Sequence, residues 1–129
     1  MSYPESKNRQ GKILIAEDDN INQQLMAFHL KQWRNNLVFA NNGKEALQIF
    51  REFDNQISLV LMDLRMPLMD GVEATQKILE INPGAKVIAL SAFAQEENRS
   101  KTGNVGFVEY LTKPIRKEDL VNIIDKYLD

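Results

Sequence analysis

The chain of 129 residues contains no cysteine, one histidine and one tryptophan. Without cysteine there is no disulfide and no thiolate metal site, which fits a reducing compartment. No run of 18 apolar residues occurs, so no transmembrane helix is expected. The opening "MSYPESKNRQG" lacks the apolar core of a secretion signal. Nor is there an excess of one charge: 16 basic against 18 acidic residues leave a net charge of −2, without the basic footprint that nucleic acid or acidic lipid requires. What remains, at 43% hydrophobic and 26% charged residues, is a globular chain of one-domain size. It is expected in the cytoplasm, in contact with neither nucleic acid nor membrane.

Two textures alternate along the chain. Short runs rich in Ile, Val, Leu and Phe lie at 12–16 (KILIA), 37–40 (LVFA), 57–62 (ISLVLM), 86–91 (KVIALS) and 107–111 (FVEYL), and predict strands. Segments of helical period lie between and after them. The first, 20–34, carries Ile21, Leu25, Phe28 and Trp33; others cover 43–53, 71–81 and 116–128. "NGKE" (Asn42 with Glu45) and "DGVE" (Asp70 with Glu73) resemble capping boxes that start two of these helices. A fourth helix, about 94–104, has almost no apolar stripe and is expected to be the least stable element. Residues 1–11 are polar and read as a tail or linker stub, with the domain proper at 12–129. The strands are continuously apolar rather than alternating, so both faces of the sheet are covered and the strands run parallel. The fold class is therefore α/β, doubly wound, with five strands and right-handed crossovers.

In such a sheet, ligands bind beyond the carboxyl ends of the strands. The first strand ends in Glu17, Asp18 and Asp19, the third in Asp63, the fourth in Ser91, and the fifth is followed by Lys113 and Pro114. Carboxylates converging there repel unless a hard cation joins them, and oxygen ligands without Cys or His point to Mg²⁺. Lys113 and Ser91 add a cation and a hydroxyl, the groups a phosphoryl acceptor needs. A carboxylate such as Asp63 can itself be the nucleophile, forming an aspartyl phosphate. His29, within "MAFHLKQW", reads as boundary packing rather than as a phosphohistidine.

"ILIAEDDNIN", "LVLMDLRMPLMDGVEAT", "VIALSAFA" and "GFVEYLTKPI", in this order and from Lys12 onward, resemble the receiver domain of two-component response regulators. The second block and "EDDNIN" are most similar to receivers of hybrid histidine kinases. The resemblance implies a flavodoxin-like (βα)₅ fold with strand order 2-1-3-4-5. It implies Asp63 as phosphoacceptor in a phosphorelay, and Asp18 and Asp63 as Mg²⁺ ligands. Glu17 would bind the ion through water and Arg65 through its backbone carbonyl. Lys113 would pair with the phosphoryl group, Ser91 would be the switch hydroxyl, and Tyr110 the aromatic that follows it. The Lys113–Pro114 bond is expected to be cis. The implied partner is a sensor histidine kinase or a histidine phosphotransfer domain. The mixed charges and scant apolar surface of the fourth helix argue against a strong constitutive dimer, so a monomer or weak dimer is expected.

Two other classes compete. A Mg²⁺-dependent aspartyl-phosphate phosphohydrolase typically carries a second Asp two residues after the nucleophile, where this chain has Arg65. A degenerate receiver, acting only as an interaction module, would have lost an acid or the lysine, and none is lost. The chain is therefore expected to be a non-enzyme whose covalent product is its signal. Arg65 and Phe93, each two residues beyond a site residue, are expected to flank the path of a hydrolytic water.

Overall fold

A computed structural model describes residues 11–99 and 101–128, without the side chains of 97–99, 101 and 102. The tail expected at 1–11 therefore lies almost wholly outside the described residues. Five strands form one parallel sheet: β1 (Lys12–Ala16), β2 (Leu37–Ala40), β3 (Ile57–Asp63), β4 (Val87–Ser91) and β5 (Glu109–Thr112). Their order is β2-β1-β3-β4-β5. Five α-helices follow them in turn: α1 (Asn20–His29), α2 (Gly43–Phe53), α3 (Gly71–Ile81), α4 (Ala94–Arg99) and α5 (Lys117–Tyr127).

The apolar strands divide by the two-residue period of the pleat. Ile13, Ile15, Leu59, Leu61, Ile88 and Leu90 point to one face, against Met26 of α1, Leu30 just past its end, and Leu120 and Ile124 of α5. Leu14, Ala16, Val60, Met62 and Val87 point to the other, against Ala46, Leu47 and Phe50 of α2 and Ala74 and Ile78 of α3. Each fully buried leucine or isoleucine contributes about 1.5–3 kcal/mol. With both faces covered, polar groups emerge at the strand ends.

Helix starts follow the expected caps. Asp19 accepts from the backbone N–H groups of Ile21 and Asn22, Asn42 from that of Glu45, and Asp70 from that of Glu73. The reciprocal arm of the first box is redirected, because Glu45 accepts from the backbone of Asn41 rather than of Asn42.

The first helical segment departs from its expected form. The α-helix ends at His29, and a 3₁₀ stretch over Lys31–Asn36 replaces its last turns. Trp33 leaves the helical region (φ −111°, ψ 19°). The Arg-Asn-Asn end favours this, since asparagine competes with helical hydrogen bonding, and the Asn36 amide donates instead to Gly11 O at 3.3 Å. The buried residues are Met26, Leu30 and Trp33, whereas Ile21, Leu25 and Phe28 of the expected stripe are 74%, 49% and 64% exposed. Two apolar stripes share this helix, and only one reaches the sheet. The fourth helix is likewise shorter than expected, ending at Arg99 before a 3₁₀ turn at Lys101–Asn104.

Gly71 fixes how α3 meets the tip of β3. Its N–H donates to Leu64 O at 3.1 Å. A Cβ there would stand 2.2 Å from the carbonyl oxygen of Asp63 and 2.8 Å from the Cα of Leu64, both rigid backbone atoms. Gly71→Ala is therefore expected to destabilise the domain by about 1–3 kcal/mol, as overpacking does. Urea unfolding measures this, and a change below about 0.5 kcal/mol, the level of a neutral surface substitution, would show that α3 shifts freely.

Candidate functional site

The carboxyl ends of β1, β3, β4 and β5 surround a cleft of about 350 Å³ whose walls include Glu17, Asp18, Asp63, Ser91 and Lys113. Each is placed by backbone pairing. The Glu17 N–H donates to Ala40 O at 3.0 Å, the Leu64 N–H to Leu90 O at 3.1 Å, and the Lys113 N–H to Ser91 O at 2.9 Å. The last bond ties the residue that carries the cation to the one that carries the hydroxyl. The Lys113–Pro114 peptide is cis, as expected.

Asp63 is only 3% exposed at the end of β3. Its Oδ1 accepts from the Arg65 N–H at 3.0 Å, and its Oδ2 lies 2.6 Å from the Lys113 ammonium. The same ammonium is 3.4 Å from Glu17 Oε1, and Glu17 Oε2 accepts from the Asp19 N–H at 3.1 Å. Burial pushes the Glu17 carboxyl above the usual carboxylate range, and the charge of Asp63 adds to this. The Asp19 N–H and Lys113 work against the rise without cancelling it. For Lys113, burial disfavours the ammonium, but the hydrogen bond and charge of Asp63, with Glu17 behind it, outweigh burial and raise its pKa.

Glu17, Asp18 and Asp63 each offer a carboxylate oxygen within 4.8 Å of the others. Three carboxylates against one ammonium leave an excess negative charge in a partly buried cleft. Donors that are all hard oxygen atoms suit a divalent cation of the Mg²⁺ or Ca²⁺ kind, so the residues present fit such an ion.

Ser91 is buried, and its Oγ accepts from the Phe93 N–H at 2.9 Å. Arg65 and Phe93 meet over the cleft, the guanidinium 5.8 Å from the ring centroid. Tyr110 stands apart on β5, half-buried, with its ring edge-on to Phe107 at 5.4 Å between centroids. His29 is half-buried on α1, and its Nδ1 has no hydrogen-bond partner among the described residues. Sequence reasoning thus places Glu17, Asp18, Asp63, Ser91, Lys113 and Arg65 in one cleft. It missed Asn22, which also lines the cleft, and Gln23, which bonds to the acidic turn. Both lie within four residues of the last acid in "EDDNINQQ", at polar helix positions that hydrophobic periodicity passes over.

Comparison with known proteins agrees with this geometry. Residues 13–125 match the model of the response regulator receiver domain. The chain is 33% identical over 117 residues to the chemotaxis protein CheY of Halobacterium salinarum, covering 91% of this chain and 96% of that protein. It is 36% identical over 129 residues to the hybrid signal transduction histidine kinase I of Dictyostelium discoideum, of which it spans only 7%. A response regulator receiver domain from Clostridium thermocellum superposes with a TM-score of 0.81 at 30% identity, over 91% of this chain and 93% of that one. The receiver domain of Ssk1 from Saccharomyces cerevisiae, solved with the histidine phosphotransfer protein Ypd1, gives 0.82 at 28% identity, over 92% and 89%. With the acids, the lysine and the hydroxyl gathered at the ends of a 2-1-3-4-5 sheet, the chain belongs to the receiver family of two-component signalling.

Proposed function

We propose that Asp63 accepts a phosphoryl group from a phosphohistidine carried by a sensor kinase or a histidine phosphotransfer domain, as part of a phosphorelay. The observation that carries this reading is the 2.6 Å contact of Lys113 with Asp63, beside two further carboxylates within 4.8 Å. A buried nucleophile on a rigid strand end thus faces a fixed cation and a cation-binding set. An oxygen of Asp63 attacks phosphorus in line, the P–N bond to the histidine breaks, and the imidazole nitrogen keeps the electron pair. Lys113 neutralises charge on the phosphoryl oxygens. Asp18, Asp63 and the Arg65 carbonyl would hold Mg²⁺, with Glu17 reaching it through water, and the ion would supply further neutralisation of charge there. The Ser91 hydroxyl leaves the Phe93 N–H for a phosphoryl oxygen, Tyr110 moves into the space vacated, and the face built from α4, β5 and α5 changes for a partner to read. In this reading the domain is a cytoplasmic monomer or weak dimer and not an enzyme, since its covalent product is the signal. Asp63→Asn is expected to remove all hydroxylamine-labile phosphate after incubation with acetyl phosphate and Mg²⁺. Undiminished labelling of that variant would refute the assignment.

The donor is proposed to dock on the exposed face of α1. Ile21, Leu25 and Phe28 form an apolar stripe on successive turns. Beside it, an apolar groove of about 390 Å³ runs between Leu25 and Met26 on α1 and Pro114, Ile115 and Leu120, and it shares Glu17 and Lys113 with the acidic cleft. A donor seated along this stripe can bring its phosphohistidine to Asp63. The complex of the histidine phosphotransfer protein Ypd1 with the Ssk1 receiver supports a histidine phosphotransfer partner. Leu25→Glu with Phe28→Glu is expected to slow transfer from a phosphorylated phosphotransfer domain by roughly tenfold or more, the scale of losing interface anchors. Labelling by acetyl phosphate should be unchanged. Equal slowing with both donors would place the effect in the site rather than in docking.

The aspartyl phosphate is proposed to decay slowly. Arg65 and Phe93 close over the cleft, and neither offers a carboxylate or amide to orient a water. Arg65→Asn with Phe93→Ala is expected to speed autodephosphorylation by about tenfold, equivalent to ~1.4 kcal/mol of barrier. Decay as slow as in the unaltered protein, followed as loss of ³²P label, would remove the pair from any shielding role.

A further inference from the structure

Gln23 occupies the second turn of α1, directly above the acidic turn. Its Nε2 donates to Glu17 O at 2.6 Å and to Asn41 Oδ1 at 2.8 Å. The Asn41 Nδ2 then donates to Glu45 Oε1 at 3.1 Å, and the Asn41 N–H reaches the same oxygen at 2.6 Å. The direction of this relay is fixed by its ends. A backbone carbonyl and a carboxylate only accept, so each amide must turn its NH₂ toward the next acceptor. Gln23 satisfies two acceptors at once.

What the relay holds is the peptide that joins Glu17 to Asp18. The Glu17 N–H is bonded to Ala40 O, and its side chain to the Asp19 N–H and Lys113. Its carbonyl, where the chain leaves β1, is bonded to Gln23. That bond sets the plane of the peptide from which Asp18 projects. Asp18 is the exposed member of the three-carboxylate set, with Glu17 and Asp63 buried on either side. Its side-chain direction therefore depends on backbone geometry more than on packing. The relay also ties this turn to Asn41 and Glu45 beyond the end of β2.

We infer that Gln23 is a positioning residue for cation binding: through the Glu17 carbonyl it sets the direction in which Asp18 presents its carboxylate. The chemistry of the position agrees. A leucine would strand the carbonyl, a glutamate could not donate and would add a fourth carboxylate, and a lysine would bring a cation toward the metal position. A neutral donor with two protons meets the demand without changing the charge of the cleft. Groups behind metal ligands in this way are worth about 10- to 100-fold in affinity.

The inference rests on the reading of Glu17, Asp18 and Asp63 as a cation site, so the test first titrates the unaltered protein and Asp18→Asn with MgCl₂ by calorimetry. No heat from the unaltered protein, or equal affinity in Asp18→Asn, would refute that reading and the inference with it. Given binding that Asp18→Asn abolishes, Gln23→Leu and Gln23→Met are expected to weaken Mg²⁺ roughly tenfold. Their metal-free urea midpoints should fall far less than those of a core truncation, and the Asp18 amide resonance should shift before any metal is added. Asn41→Ala should weaken Mg²⁺ in the same direction but less, because Gln23 keeps its bond to Glu17. Mg²⁺ affinity within twofold of the unaltered protein in either folded Gln23 variant would make the relay a structural brace only and overturn the inference. If Gln23→Leu fails to fold, Gln23→Met, which keeps the length of the side chain, decides in the same terms.

Discussion

Like charges set the terms for this molecule. Two carboxylates within 4.8 Å of each other repel by on the order of 3 kcal/mol or more at the effective dielectric of a partly buried site. Three are gathered here, with the Lys113 ammonium 2.6 Å from Asp63 and 3.4 Å from Glu17. The protein answers with burial, which raises the Glu17 pKa, and with an ammonium shared between Asp63 and Glu17. Both shifts are upward, and each makes stability fall as pH rises. Ionised Glu17 costs stability above its raised folded pKa, and that cost disappears as pH falls through it. Lys113 contributes stability that is fully present below its unfolded pKa and is lost as pH rises through its folded pKa. The cleft therefore carries a demand for positive charge that a divalent cation or a proton relieves.

The sheet makes this concentration of charge tolerable. Both faces of β1, β3 and β4 are covered by helices, so apolar side chains fill them and charge is displaced to the strand ends. The close approach of Gly71 to the carbonyl of Asp63 keeps α3 pressed on that end, and the bond from Lys113 N to Ser91 O does the same for β4 and β5. The β3–α3 turn shows the cost of the crowding. Leu68 sits at φ +69°, a conformation that leucine disfavours, with the Met69 N–H bonded to Pro67 O across it. Such strain, about 1–3 kcal/mol, persists where the surroundings determine the backbone more strongly than the residue does.

Much of this was legible in the sequence, for identifiable reasons. Strand runs bounded by turn residues, and acids placed directly after them, give both the α/β class and the position of the cleft. The strand bounds at 12–16 and 37–40 match the structure, and β3 gains only Asp63. What misled was α1. Ile21, Leu25 and Phe28 have helical spacing as good as that of Met26 and Leu30, and periodicity alone cannot say which stripe faces the sheet. That choice is made largely by β3, β4 and α5, which are distant in sequence. Gln23 was illegible for a related reason. Its importance lies in a carbonyl six residues earlier and an amide eighteen residues later, and no local pattern announces either.

The stretch from Ser91 to α4 joins the charge problem to the surface in the proposed switch. The Ser91 hydroxyl is engaged by the Phe93 N–H, immediately before α4 begins at Ala94. Drawing that hydroxyl toward a phosphoryl oxygen releases an N–H at the head of a six-residue helix. A hydrogen bond of this kind is worth about 0.5–1.5 kcal/mol, more when one partner is charged. On a helix of eleven residues packed along the sheet, such as α2 or α3, that sum would be small. On α4, six residues long and followed by a 3₁₀ turn, it is a larger share of what holds the element in place. In the proposed switch the phosphoryl group, its added negative charge met by Lys113 and a bound cation, thereby shifts the population of a surface element without disturbing the core, because the groups it touches lie at strand ends.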